Sequence, residues 1–381
     1  MKPLFLTFAL LVSGLAYCNY EAITDETTNE MDLSLSSGSI QVALLLDTSN
    51  SMDGLINQAK SRLWNIVNTM TTLKYNGETP EIQISLYEYG NSGLSEHSNF
   101  IRQVVGLTND LDLISEHLFA LRTNGGQEYC GAVINDAVKK LDWDAGKNSM
   151  KLIYIAGNEP FDQGGVSYKE AISEAVSKDI FINTIFCGNR DEGVRTHWKD
   201  GADKGKGKYF HIDSNAKIRY IVTPYDDQIT ICNQQLNATY IGYGSMGQAR
   251  LKSQAAQDAN AEELSGANYA ERVVSKSKAV YSNESWDLVD RYEKDEEVIE
   301  NLKKEELPKE LQGKTQAQIK AYVEAKTNER DAIQKEIAEL AKKRQAYIEK
   351  EQKKEGTQDD LGKAIASTIY EIAKVKGYTI Q

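Results

Sequence analysis

Asp47-Thr48-Ser49-Asn50-Ser51 sets a carboxylate and two hydroxyls at alternate positions of one short segment. In a tight turn, side chains so spaced can converge on one point. A carboxylate with hydroxyls is a hard-oxygen donor set, suited to Mg²⁺, and also to Mn²⁺ or Ca²⁺, rather than to zinc. The same residue types are good helix N-caps, so the flanking elements decide between the two roles. Other chemistries find less material. The chain has 4 His and 4 Cys, and His97, His117, His197 and His211 fall outside ligand-like spacing. Gly244-Ser245-Met246-Gly247 has Tyr243 where a nucleophile elbow needs its first glycine, and it reads as a turn. Gly205-Lys206-Gly207-Lys208 lacks P-loop spacing and reads as a surface loop.

The motif is flanked by a strand and a helix. Residues 40–46 are a nearly continuous apolar run, the pattern of a strand buried on both faces of a parallel sheet. Behind the motif, Ile56, Ala59, Leu63, Ile66 and Val67 mark an amphipathic helix over 55–70. Further strands are expected at 81–89, 100–105, 150–156, 180–187 and 208–212. Helices are expected at 110–121, after Asn124-Gly125-Gly126, and at 168–176. Strands alternating with helices imply a doubly wound, mostly parallel α/β sheet with right-handed crossovers. Ligands of such sheets bind beyond the carboxyl ends of strands, where Asp47 to Ser51 falls.

With this strand before it and this helix after it, D-x-S-x-S resembles the metal-ion-dependent adhesion site (MIDAS) of the von Willebrand factor type A (VWA) family. The likeness extends over roughly residues 40–225. Gly125-Gly126-Gln127-Glu128-Tyr129-Cys130-Gly131, Asn183-Thr184-Ile185-Phe186-Cys187-Gly188 and Trp286-Asp287-Leu288-Val289-Asp290 are similar to a bacterial exported subgroup. The resemblance implies a divalent-cation site completed by two further loops, usually with a Thr in the second and an Asp in the third. This chain departs at both places. Gln127 or Glu128 follows the glycines of the second loop, and Asn158 stands where Asp is usual in the third. Asn ligates through its carbonyl oxygen but brings no charge. If Glu128 points inward it restores the second carboxylate; if outward, Asp47 is the sole anion and affinity falls. The implied ligands are Asp47, Ser49 and Ser51, with Glu128 and Asn158 completing the set. The implied guest is a carboxylate on a protein partner. The alternatives are a metal-free scaffold acting through the C-terminal helices, and a hydrolase for which no general base is evident.

Composition narrows the setting. With 44 Lys+Arg against 56 Asp+Glu the 381-residue chain carries −12, which argues against a general nucleic-acid binder. Its length suggests two domains. Lys2, an apolar run and small Gly14 and Ala16 read as a signal peptide over 1–17, so the mature chain is expected in the periplasm, on the cell envelope or outside the cell. Cys18 follows as a lipid acceptor in one reading; in the other, simple cleavage, its large neighbour Tyr17 argues against lipidation. Residues 18–38 read as a flexible tether, 39–225 as the VWA-like domain, 226–285 as a connecting region and 286–381 as a charged helical region. Within these, 229–243 reads as extended or a hairpin, and 248–274, 315–352 and 361–375 as helices. Ile333, Ile337, Leu340, Arg344 and Tyr347 form a heptad-like stripe, read as a helical hairpin docked on the α/β body or a coiled coil. Cys130 and Cys187 both lie near the ligand-bearing edge, either as a disulfide or as two buried thiols.

Overall fold

The computed structural model describes residues 38–216, 218–355 and 361–381. The signal segment, Cys18 and the tether up to residue 37 lie outside the described residues. The α/β body runs β1 (Ser39–Asp47), α1 (Asp53–Met70), β2 (Leu73–Lys74), β3 (Glu81–Tyr89), β4 (Ile101–Thr108), α2 (Leu111–Ala120), α3 (Cys130–Lys140) and β5 (Met150–Gly157). It continues with α4 (Tyr168–Ser177), β6 (Ile180–Cys187), α5 (Arg190–Arg195), α6 (Trp198–Lys204) and β7 (Lys206–Ile212). Six strands form one sheet in the order β4-β3-β1-β5-β6-β7. All neighbours are parallel except the β3–β4 pair. The chain winds outward from β1 to β3 and β4 on one side, then to β5, β6 and β7 on the other. The switch point therefore lies at the carboxyl end of β1, beside Asp47.

The period of two along β1 builds both faces. Ile40, Val42, Leu44 and Leu46 enter one core layer, and Ala43 and Leu45 enter the other. The second layer lies under α3, α4 and α6 and contains Trp198, whose Nε1 donates to Glu159 O at 2.7 Å. The first layer continues beyond the α/β body. After β7 come α7 (Asp226–Asn237), α8 (Gly247–Leu264), α9 (Gly266–Lys276), α10 (Leu288–Lys294), α11 (Val298–Asn301) and α12 (Gln316–Glu355), then α13 (Leu361–Val375) and β8 (Thr379–Ile380). α13 returns to the sheet: Leu361, Ile365, Ile369 and Ile372 join the layer built by β1 and α1, and β8 pairs with β2. Gln58 of α1 ties the two ends of this excursion. Its Nε2 donates to Asp213 O and Ser214 O, and its Oε1 accepts from Leu361 N.

Several expectations are corrected. Residues 229–243 are not a hairpin; α7 covers most of them, burying Ile229, Cys232, Asn233 and Leu236 at helical spacing. β-branched Ile and Thr made the segment look extended, and packing overrides that preference. The expected helix over 248–274 is two helices, because Ser265 leaves helical geometry and caps α9 through a bond from Asn268 N. Lys206 to Lys208 belong to β7 rather than to a surface loop. Of the two readings of the heptad-like stripe, a docked helical hairpin and a coiled coil, packing within the chain is the one found: Ile333, Ile337 and Leu340 lie in the main core, and Arg344 Nε donates to Asp226 at 2.9 Å.

Candidate metal centre

Four loops meet over the switch point, and three of them, after β1, after β3 and around Gly125, are pinned to one another by backbone bonds. Thr48 N donates to Tyr89 O at 2.9 Å, Asn124 N to Thr48 O at 3.0 Å, and Asn50 N to Gly125 O at 2.8 Å. Asn50 Oδ1 accepts from Gly125 N in return, at 3.0 Å. Asn50 thus fixes the first loop to the second, a role its place inside the motif did not reveal.

The motif does not cap the helix. Met52 precedes α1 without a side-chain capping bond, and Ser49 precedes the short 3₁₀ turn Asn50–Met52 without one either. The oxygens turn to each other instead. Asp47 Oδ1 accepts from Ser49 N at 2.7 Å, the Ser49 and Ser51 hydroxyls are 3.2 Å apart, and Ser51 Oγ donates to Asn158 Oδ1 at 3.4 Å. Asp47, Ser49 and Glu128 are buried, Asn158 is half-buried and Ser51 exposed, so the group has a closed floor and an open rim.

Glu128 belongs to this group. A Cβ on Gly90 would stand 2.6 Å from Glu128 Cγ and 2.9 Å from Asp47 Oδ1. One on Gly126 would stand 2.3 Å from Glu128 Oε1 and 3.0 Å from Ser49 Cβ. Asp47, Ser49 and Glu128 therefore share one small space whose walls admit no side chain at either glycine, and Gly90 also adopts φ +79°. Glu128 thus lies beside Asp47 as a second carboxyl group; Gln127 instead accepts from the Tyr129 hydroxyl, at 2.9 Å.

The electrostatics are those of an anionic pair out of water. Burial pushes the Asp47 carboxyl up to about 7, against the Ser49 bonds that lower it, with Glu159 adding to the rise. Burial, then Asp47 and Glu159, push Glu128 up to about 8. Asp47 Oδ2 and Glu128 Oε2 are buried without a hydrogen-bond partner. Unsatisfied buried carboxylate oxygens are costly, and a divalent cation is the partner this donor set fits. Among the described residues no group of three His, Cys, Asp or Glu side chains could hold a metal, so a site here depends on hydroxyl and amide oxygens beside its two carboxylates.

Glu159 and Tyr89 were not singled out from the sequence. Tyr89 forms a wall, its hydroxyl donating to Ala156 O at 3.0 Å. The expected Cys130–Cys187 bond is not formed: both thiols are free and buried. Cys187 faces the core layer of α1, whereas Cys130 packs in the layer of α3 and α4, with the sheet between them. Cys130 Sγ lies 3.8 Å from the Tyr89 hydroxyl.

Comparison with known proteins agrees with this architecture. Residues 41–223 match the model of the von Willebrand factor type A domain. Among solved structures, the chain is similar to BatB, a conserved hypothetical protein of Bacteroides thetaiotaomicron, at 15% identity over 46% of this chain and 91% of that one, with a TM-score of 0.36. An aerotolerance-related membrane protein of Bacteroides fragilis matches at 16% identity over 46% and 94%, with a TM-score of 0.33. Proximal thread matrix protein 1 of the mussel byssus, in a form whose MIDAS motif is occupied by zinc, matches at 14% identity over 46% and 42%, with a TM-score of 0.35. The search of curated proteins found no match. A D-x-S-x-S turn at the switch point of this sheet and the match over residues 41–223 establish that the chain carries a von Willebrand factor type A domain.

Proposed function

We propose that the domain recognises a protein partner through a divalent cation held by Asp47, Ser49 and Ser51, with Glu128 and Asn158 completing the site. The observation that carries this reading is the pair of buried, unpartnered oxygens, Asp47 Oδ2 and Glu128 Oε2, on the floor of one pocket. VWA domains often bind a divalent cation at a MIDAS and mediate contacts between proteins. Hydroxyl, amide and carboxylate oxygens are hard donors, which favours Mg²⁺, with Mn²⁺ and Ca²⁺ in the same class. The cation supplies charge at the open rim formed by Ser51 and Asn158, where a carboxylate of the partner serves as guest. This chain's residues hold the ion's ligands in place; Asn50 and the two glycines keep the loops together.

Export of the mature chain is part of the proposal and rests on the reading of residues 1–17. Among the described residues no helix is long and apolar enough to cross a membrane. The alternative of a metal-free scaffold draws no support from α12, whose apolar stripe packs within the chain.

Calorimetric titration of the mature protein with MgCl₂ and MnCl₂ tests the reading. Saturable binding is expected, abolished by Asp47→Ala and weakened by about tenfold or more in Glu128→Gln, a loss of about 1.4 kcal/mol. Absence of heat and of any thermal shift with either metal would refute it.

A further inference from the structure

α7, α8 and α9 meet around one buried amine. Lys276, the last residue of α9, is fully buried and presents its Nζ to two side-chain amides and a carboxylate. Nζ lies 2.6 Å from Asn237 Oδ1, 2.9 Å from Asn233 Oδ1, and 3.0 and 3.1 Å from the two carboxylate oxygens of Asp258. Asp258 Oδ2 also accepts from the amide nitrogens, from Asn237 Nδ2 at 2.8 Å and from Asn233 Nδ2 at 2.9 Å. One carboxylate oxygen therefore touches a buried primary amine and the NH₂ group of the amide on which that amine rests. Burial pushes the Lys276 ammonium down to about 8, against Asp258, which raises it. A lysine desolvated in this way is a nucleophile. The pairing of Asp258 with Arg272, Nε to Oδ1 at 2.6 Å, is separate from Lys276 and would survive the loss of its charge.

From this geometry we infer that Lys276 and Asn237 form an intramolecular amide cross-link, with Asp258 as the proton carrier. Asp258 Oδ2 takes a proton from the Lys276 ammonium, and the freed lone pair of Nζ forms a bond to Asn237 Cγ. The carbonyl electrons move to Oδ1. Asp258 then hands its proton to Nδ2, the carbonyl re-forms, and the Cγ–Nδ2 bond breaks to release ammonia. The surplus proton left on Nζ passes through the same carboxylate to the ammonia. In sum, an ammonium and a primary amide give a secondary amide and an ammonium ion, with nothing oxidised or reduced and no further reactant consumed. Asn237 is the electrophile rather than Asn233, because its Oδ1 lies nearer to Nζ. Its Nδ2 is held by Asp258, whereas Asn233 Nδ2 is held by Asp258 and by the Tyr269 hydroxyl. Asn237 is also half-buried, which opens a way out for ammonia, while the burial of Lys276, Asn233 and Asp258 keeps competing water away. The link joins the end of α7 to the end of α9, 39 positions apart, and does not depend on metal binding.

Denaturing mass spectrometry of the purified protein, held at about pH 8 where Lys276 sheds its proton, tests the link. The chain is expected to weigh one ammonia less than the sum of its residues. Tryptic digestion should then yield a branched peptide joining Asn237 to Lys276, with no cleavage after Lys276. Asn237→Ala keeps the Lys276 bonds to Asn233 and Asp258, so it should fold with an unchanged circular dichroism spectrum. It should show the full mass of its sequence and melt below the wild type. Lys276→Met should likewise show its full mass. Wild type at full mass would overturn the inference. So would a missing ammonia with cleavage after Lys276 intact, the mark of a succinimide. A branched peptide that persists in Asn237→Ala would overturn the assignment to Asn237.

Discussion

At the scale of residues, the candidate metal loop holds two carboxyls that burial pushes above the usual carboxylate range. In the unfolded chain Asp and Glu ionise near pH 4, whereas the folded site raises Asp47 to about 7 and Glu128 to about 8. Between these limits the folded state binds more protons than the unfolded state, so stability present at low pH is lost as pH rises through the folded values. The melting temperature of EDTA-treated protein should therefore fall between about pH 5 and pH 8. Asp47→Asn with Glu128→Gln should flatten that slope, and on the proposed reading saturating Mg²⁺ should reduce it, because an ion held there binds the ionised pair. A flat profile for EDTA-treated wild type would show that the two carboxyls are not held as described. The cysteines give a second residue-scale test. Cys130, Cys187 and Cys232 should all be alkylated by iodoacetamide in non-reducing denaturant and resist it in the native state, as mass spectrometry would read.

Helix against helix, the region after β7 is fastened by buried ion pairs as well as by apolar contact. Arg272 meets Asp112 at 2.7 Å and Asp258 at 2.6 Å, and Lys276 meets Asp258 at 3.0 Å, joining α2 of the α/β body to α8 and α9. Burial alone would raise Asp258, but Arg272 and Lys276 hold it below the usual carboxylate range. Asp287 and Asp290 of the Trp286-Asp287-Leu288-Val289-Asp290 segment converge on Arg330 of α12, which also stacks on Tyr240 at 4.2 Å. Removing Arg330 would strand two buried carboxylates, so Arg330→Met is expected to cost about 3–5 kcal/mol in urea unfolding. Adding Asp287→Asn and Asp290→Asn should recover part of that loss. How far these elements could be read in advance follows from their pattern. β3, β6 and α13 fall at their expected bounds, because each shows clear periodicity between breaks. α7 is not legible as a helix in the sequence, since its buried positions include Cys232 and Asn233, and it is ordered by Asp258, Tyr269 and Lys276, far along the chain. The candidate metal loop was legible as D-x-S-x-S; that Glu128 turns inward was not, because only the crossing of distant loops places it.

Across the whole molecule, the last helix completes the first sheet. Ile369 is fully buried against the layer of β1 and α1, and Tyr154 of β5 hydrogen-bonds with Thr368 at 2.5 Å. Ending the chain at residue 355 should therefore uncover one face of the sheet and give an expanded, dye-binding state in circular dichroism and ANS fluorescence. Ile369→Ala, which keeps the helix, should cost about 2–5 kcal/mol. A truncated chain melting like the intact one would contradict this account. Such a deletion cannot serve as a neutral probe of the helical region, since it removes part of the α/β core. The sequence by itself determined the alternation of strands and helices and the hard-oxygen turn after the first strand, because both depend on local periodicity and adjacent side chains. Tertiary structure decided the inward turn of Glu128, the separation of Cys130 from Cys187 by the sheet, the inward packing of α12 and the return of α13. Each of these depends on which distant surfaces meet, and a linear pattern of residue types does not encode that until the chain has closed on itself.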